Sequence, residues 1–135
     1  MNILFICKGN VGRSQIAEAL YKKKFGDRDT VISAGMTYPG PEMPLSALLP
    51  RVQEVLDVIK EEGIEASEWI RKPLTKRMID DADKIIVILE DKDILTPNLI
   101  GLSKVTRWSV LDPKGQDINF AREVKNKIKA LIESL

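Results

Sequence analysis

The segment from residue 7 to residue 14 contains the side chains best suited to chemistry, and it reads CKGNVGRS. Cys7 is the only cysteine in the chain, and Arg13 follows it with five residues between them. Arginine can bind two phosphate oxygens through parallel hydrogen bonds. A thiol that faces an arginine and a helix N-terminus loses its proton readily and becomes a nucleophile. The spacing therefore predicts nucleophilic chemistry on phosphate or a similar anion, although a lone cysteine can also be a plain core residue.

The residues between Cys7 and Arg13 suit a loop that wraps around an anion. Glycine and asparagine tolerate unusual backbone angles, which lets successive N–H groups point into one concavity. A helix that begins at this point adds unpaired N–H groups and the positive end of its dipole. We expect the following loop residues to bind the substrate: Lys8, Gly9, Asn10, Val11, Gly12 and Ser14.

The composition excludes several classes of active site. The chain has no histidine, which rules out Cys–His pairs and Ser–His–Asp triads. A single cysteine allows no internal disulfide and no cysteine-based zinc site. We therefore expect no metal and no cofactor, and any nucleophile must be activated by its surroundings in the loop.

Charge and hydropathy narrow the choice of partners and location. The formal net charge is +1, so there is no overall basic field of the kind that binds nucleic acid. No apolar run approaches the length of a membrane span, and the apolar residues 2–7 are too few for a signal peptide. We expect a cytoplasmic protein, a monomer or weak dimer, that binds neither nucleic acid nor membranes.

Strand and helix patterns alternate along the chain. Apolar runs predict strands at residues 2–7, 30–34, 85–89 and 104–108. Helical spacing and end signals predict helices at residues 14–25, 46–62, 74–82 and 118–135, with a loop at 35–44. This alternation predicts an α/β fold: a single doubly wound domain over residues 1–135, with a four-stranded parallel sheet flanked by helices. Ligands bind beyond the carboxyl ends of such strands, where the loop after residue 7 would lie.

Two further motifs follow the first one along the chain. Ser33-Ala34-Gly35 comes at the end of the second predicted strand, and Asp112-Pro113 is the only Asp-Pro pair in the sequence. With the Cys7 to Ser14 segment at the start, these motifs resemble the low-molecular-weight protein tyrosine phosphatases and the related thiol-dependent arsenate reductases. The resemblance extends over the whole chain.

The resemblance implies a mechanism through a phosphocysteine. Cys7 would attack phosphorus while Arg13 and the loop N–H groups stabilise the equatorial oxygens. Asp112 would protonate the leaving oxygen and then activate water. Ser14 would donate a hydrogen bond to the sulfur, and Asn10 would brace the loop together with Ser33. Without the resemblance, Asp112 also fits an ordinary turn, since Asp-Pro commonly starts one.

The chain departs from the family pattern around the expected cleft. Gly12 replaces a second cysteine of the family phosphatases, so an oxidised Cys7 would have no intramolecular partner. Lys114 replaces the aromatic residue after Asp-Pro, and Tyr38 is the candidate for the opposite wall. We therefore expect a more open and more cationic cleft than that of a phosphotyrosine phosphatase.

Other departures bear on the reaction itself. Gln15 stands where the phosphatases usually have proline, which resembles the arsenate reductases. The thioredoxin-coupled reductases need additional cysteines, so a reductase of this sequence would need an external thiol. Val11 lacks the hydroxyl of the threonine that the arginine-phosphatase branch has at this position, which argues against the specificity of that branch. Three functions stay open: hydrolysis of phosphorylated proteins or small phosphomonoesters, arsenate reduction with an external thiol, and phosphate binding for regulation.

Overall fold

The computed structural model describes every residue from Met1 to Leu135. Four parallel strands form the main sheet, in the spatial order β2-β1-β5-β6. Their bounds are β1 Asn2–Cys7, β2 Thr30–Gly35, β5 Lys84–Leu89 and β6 Val105–Ser109. A separate antiparallel pair is formed by β3 Met43–Pro44 and β4 Ile70–Arg71. The predicted single doubly wound domain with a four-stranded parallel sheet is confirmed.

Four α-helices flank the sheet: α1 Arg13–Phe25, α2 Gln53–Lys60, α3 Lys76–Asp81 and α4 Ile118–Glu133. The central strands β1 and β5 are buried on both faces, which explains their continuous apolar sequences. Core clusters therefore lie on each side of the sheet, a larger one that includes α1, α2 and α4 and a smaller one that includes α3. None of the helices combines the length and the apolar character that a membrane-spanning segment needs.

The strand order explains where a ligand would bind. From β1 the chain moves to β2 on one side of the sheet and reaches β5 on the other. The loop after β1 thus lies where the direction of winding reverses, the position at which this class of fold opens a crevice. Cys7 is the last residue of β1, and Arg13 is the first residue of α1.

The helix predicted over residues 46–62 is wrong in its first half. A short 3-10 helix covers Leu45–Leu48, and α2 begins only at Gln53. Pro50 explains the break, because its ring pushes the preceding residue out of the helical region. Leu49 accordingly has an extended backbone, with φ −61° and ψ 142°. After the break, Arg51 and Val52 line the same cavity as Cys7.

The loop predicted over residues 35–44 also contains regular structure. Its last two residues, Met43 and Pro44, form β3 and pair with β4. Pairs of two-residue strands have no detectable sequence period, which is why the prediction missed them. The pairing matters for the site because it brings Arg71, far away in sequence, beside the loop after β1.

Candidate active site

The loop between β1 and α1 encloses the thiol of Cys7. The Cys7 side chain is buried, and its Sγ lies 3.0 Å from Oγ of Ser14 in the first turn of α1. The same Ser14 oxygen accepts a hydrogen bond from Nδ2 of Asn10 at 2.8 Å. This arrangement favours the hydroxyl of Ser14 as donor to the sulfur. Such a bond stabilises negative charge on sulfur, both in a thiolate and in a departing thiolate.

Asn10 connects the loop to the surrounding structure. It is fully buried and has a φ of 56°, a left-handed conformation that asparagine tolerates better than most residues. Its Nδ2 also donates to Oγ of Ser33 at 3.0 Å, while its Oδ1 accepts from the backbone N–H of Lys72 at 2.9 Å and from Nε2 of Gln15 at 3.2 Å. Sequence reasoning named Asn10 and Ser33 for this task but missed Lys72 and Gln15. Backbone contacts such as that of Lys72 carry no sequence signal.

Arg13 and Asp112 lie side by side. Arg13 is 2% exposed, and one terminal nitrogen donates to the carbonyl oxygen of Val110 at 3.0 Å. Its other terminal nitrogen lies 3.6 Å from Oδ2 of Asp112. The Asp112 side chain remains 38% exposed, and its Oδ1 accepts from the backbone N–H of Lys114 at 2.9 Å. Asp112 therefore begins a turn and also presents a carboxylate oxygen beside the guanidinium.

One cavity of about 330 Å³ connects these groups. Every predicted site residue lines it except Asn10 and Ser14, which are fully buried and hydrogen-bonded to each other. The volume is at the lower end of the range for small-ligand sites. The separately predicted loop cysteine, arginine and Asp-Pro carboxylate therefore share one space, in which a bound anion could meet all three.

Two further basic residues line the cavity that sequence reasoning did not single out, Arg51 and Arg71. The Nε of Arg71 donates to the carbonyl oxygen of Gly9 at 2.8 Å. Its guanidinium carbon lies 3.6 Å from the centroid of the Tyr38 ring, a cation–π contact. Tyr38 therefore lines the cavity as expected, but Arg71 covers one face of its ring.

Lys8 lines the cavity and forms an ion pair with Asp93. Its Nζ is 3.6 Å from Oδ1 of Asp93, whose side chain is 9% exposed. Burial raises the pKa of Asp93, but a hydrogen bond from the backbone of Glu90 and the charges of Lys8 and Arg13 outweigh it, so the net pKa lies below its usual value. Asp93 is therefore anionic near neutral pH and holds Lys8 beside the loop.

The Asp-Pro turn packs tightly against the loop. A Cβ atom placed on Gly12 would lie 3.2 Å from Cγ of Pro113, closer than ordinary side-chain contacts. Gly12 immediately precedes α1, and Pro113 is buried next to Asp112. The absence of a side chain at residue 12 thus lets the turn that carries Asp112 approach the loop.

Removal of the Arg13 guanidinium should weaken the binding of inorganic phosphate. We expect Arg13→Ala to lower the affinity by roughly 10²-fold, because two charge-assisted hydrogen bonds are lost. Arg13→Lys should recover only part of it, since an ammonium cannot bind two oxygens in parallel. Isothermal calorimetry with phosphate measures both. The control is Arg77→Ala, which removes an exposed positive charge on α3 outside the cavity.

Equal phosphate affinity in Arg13→Ala and wild type would contradict the anion-binding role of the loop. Because Arg13 is buried, each variant should first be compared with wild type in thermal unfolding. A crystal grown with vanadate gives an independent measurement, in which we expect the oxyanion to lie against Arg13 and the loop N–H groups.

Comparisons with known proteins agree with this geometry. Residues 2–135 match the family described as low molecular weight phosphotyrosine protein phosphatase. The chain is 32% identical over 136 residues to arsenate reductase 2 of Staphylococcus haemolyticus (strain JCSC1435), covering 98% of this chain and 93% of that protein.

Solved structures extend the likeness to the fold. The YwlE arginine phosphatase from Geobacillus stearothermophilus superposes with a TM-score of 0.79 at 28% identity, over 98% of this chain and 88% of that one. An arsenate reductase in the phosphate binding state gives 0.78 at 25% identity, over 98% and 94%. The resemblance inferred from the motifs is confirmed, and this chain belongs to the low-molecular-weight phosphotyrosine protein phosphatase family.

Proposed function

We propose that this chain hydrolyses phosphomonoesters through a phosphocysteine intermediate on Cys7. The observation that carries the proposal is the shared cavity, in which the carboxylate of Asp112 lies 3.6 Å from the guanidinium of Arg13 and both face the loop that begins at Cys7. A phosphate bound to Arg13 would have its ester oxygen within reach of a proton donor and its phosphorus within reach of a nucleophile. The substrate is a phosphorylated protein or a small phosphomonoester.

In the first step the sulfur of Cys7 attacks phosphorus, and the S–P bond forms as the P–O bond to the leaving group breaks. Arg13 and the loop N–H groups stabilise the charge on the three equatorial oxygens. Asp112, protonated at this stage, gives its proton to the departing oxygen, so the product leaves as an alcohol or phenol.

In the second step water attacks the phosphorus of the phosphocysteine. Asp112, now a carboxylate, accepts a proton from the water while the S–P bond breaks. The hydroxyl of Ser14, 3.0 Å from the sulfur, stabilises the departing thiolate. Inorganic phosphate then leaves, and Cys7 and Asp112 return to their starting protonation states.

Arsenate reduction is the second candidate, and the likeness to staphylococcal arsenate reductases favours it. Reduction of arsenate to arsenite consumes two electrons, which two thiols supply when they form one disulfide. This chain contains one cysteine, so the second thiol would have to come from another molecule. Hydrolysis needs no second thiol. It also gives Asp112 a role, whereas arsenate reduction has no leaving alkoxide for Asp112 to protonate.

The two candidates are separated by assays on one preparation. We expect hydrolysis of 4-nitrophenyl phosphate without any added thiol, and no arsenite formation from arsenate in the presence of glutathione. Cys7→Ser serves as control for contaminating enzymes, because it should abolish either activity. Glutathione-dependent arsenite formation without phosphate ester hydrolysis would overturn the proposal in favour of the reductase.

A further inference from the structure

Three basic side chains outside the proposed phosphate loop, residues 7–14, line the same cavity: Arg51, Arg71 and Lys114. They come from separate parts of the fold, since Arg51 precedes α2, Arg71 lies in β4, and Lys114 follows the Asp-Pro turn. Lys8 and Arg13 of the loop itself add two more basic groups, and the acidic residues that line the cavity are Glu54 and Asp112. Over its whole lining the cavity has five basic residues and two acidic ones, so it is predominantly cationic.

Arg71 is the basic group with a defined orientation. Its Nε is engaged with the carbonyl oxygen of Gly9, two residues after Cys7, and its planar group lies over the Tyr38 ring at 3.6 Å. The ring is itself held, because the Tyr38 hydroxyl donates to the carbonyl oxygen of Pro41 at 2.6 Å. Contacts on two sides fix the guanidinium at the rim of the loop. An arginine held in this way loses little side-chain entropy when it binds an anion.

The same contact changes what Tyr38 offers to a substrate. One face of its ring is covered by the guanidinium of Arg71, so that face is closed to an aromatic leaving group. Lys114, which follows the Asp-Pro pair, adds a basic side chain to the cavity lining. A leaving group in this cavity therefore meets positively charged side chains, and the covered face of Tyr38 cannot act as an aromatic wall for it.

We propose that the preferred substrate is a phosphomonoester that carries a second anionic group next to its phosphate, and that Arg71 binds this second group. Arg71 is thus a specificity-determining residue, and Lys114 and Arg51 strengthen the positive field around it. The proposal rests on the hydrolytic function proposed above. The second anion can be a carboxylate or phosphate on a small molecule, or an acidic side chain beside a phosphorylated residue.

The test compares two aryl phosphates that differ in one charge, 4-carboxyphenyl phosphate and 4-carbamoylphenyl phosphate. We expect wild type to favour the carboxylate in kcat/KM, and Arg71→Gln to reduce that preference by about fivefold, the upper range for a partly exposed ion pair. Comparing the ratio between proteins cancels the difference in leaving-group acidity. The preference should also weaken with added salt. Arg77→Gln is the charge-matched control, since Arg77 lies outside the cavity.

Arg71 also braces Gly9, so damage to the loop must be distinguished from loss of recognition. Loop damage lowers the rates for both substrates equally and raises the inhibition constant of inorganic phosphate. Loss of recognition acts on the carboxylate alone, and Arg71→Lys should restore part of the preference. A ratio of kcat/KM values that is the same in Arg71→Gln as in wild type would overturn the proposal.

Binding measurements keep this proposal separate from the hydrolytic one. Calorimetry of the same two compounds with Cys7→Ser reports the preference without turnover, so it stays testable if hydrolysis fails. A pair of phosphotyrosine peptides with glutamate or glutamine beside the phosphotyrosine distinguishes the sources of the anion. A preference in both pairs supports an acidic phosphopeptide, and a preference in the aryl pair alone supports a small molecule.

Discussion

Cys7→Ser should lower the turnover of phosphomonoesters by about 10⁴-fold or more, the scale of loss seen when an enzyme's nucleophile is removed. A serine hydroxyl is far less ionised than a thiol, and the cavity has no histidine to act as its base. The replacement is nearly isosteric and the side chain is buried next to Ser14, so the loop should keep its shape. Steady-state hydrolysis of 4-nitrophenyl phosphate measures the loss.

Phosphate binding provides the control within the same variant. In the proposed mechanism the loop N–H groups and Arg13 hold the anion, so we expect Cys7→Ser to bind inorganic phosphate with an affinity close to that of wild type. Loss of binding together with turnover would indicate a damaged loop rather than a missing nucleophile. Turnover above about a hundredth of wild type would exclude Cys7 as the nucleophile.

Asp112→Asn should slow hydrolysis by roughly 10²–10⁴-fold when the leaving group needs a proton. The loss should diminish for acidic leaving groups such as nitrophenol, which depart without protonation. The amide oxygen of asparagine can still accept the hydrogen bond that the Lys114 N–H gives to Asp112, so the turn should survive. The measurement is the hydrolysis rate of a series of aryl phosphates with graded leaving-group acidity. For wild type and variant, the slope of log rate against leaving-group pKa is compared.

Equal slopes would contradict the role of Asp112 as general acid and leave it as a turn residue. In that case the loss should be modest, the same for all leaving groups, and parallel to any drop in thermal stability. Asp117→Asn is the matched control, because Asp117 accepts a hydrogen bond at the start of α4 and does not line the cavity. It should leave both the slope and the rate near those of wild type.

The loop between β1 and α1 was predictable because its determinants are local. An apolar strand, two glycines, an arginine and a helix start follow one another within residues 2–25, so backbone preference and chemistry point to the same place. The sheet was predictable for a similar reason, since β1 and β5 are buried on both faces and have continuous apolar sequences. The prediction that Asp112 acts beside Arg13 depended on the family resemblance, because most of the chain separates the two residues.

The sequence predicted a more cationic cleft from Lys114, but it could not place Arg51 and Arg71 at the cavity, because their positions depend on contacts between distant segments. Arg71 lies beside Gly9 because β4 pairs with β3 and the next residue, Lys72, is hydrogen-bonded to Asn10, and neither contact leaves a pattern in the sequence. Arg51 lies at the cavity after the helix break at Pro50, whose effect the regular apolar spacing of residues 46–62 concealed. The helix error arose because Pro50 overrode a periodic pattern, and the β3–β4 pair was missed because two-residue strands have no period to detect.

The contact between Gly12 and Pro113 constrains how this enzyme could evolve. A cysteine at residue 12, which would let an oxidised Cys7 be trapped as a disulfide, needs Pro113 to retreat by a few tenths of an ångström. Pro113 is bonded to Asp112, so a shift of Pro113 that makes room for a protective cysteine would also move the carboxylate of Asp112. A lineage that acquired a cysteine at residue 12 would displace the Asp-Pro turn by that distance, so the tolerance of the Asp112 position would decide whether such a form stays active.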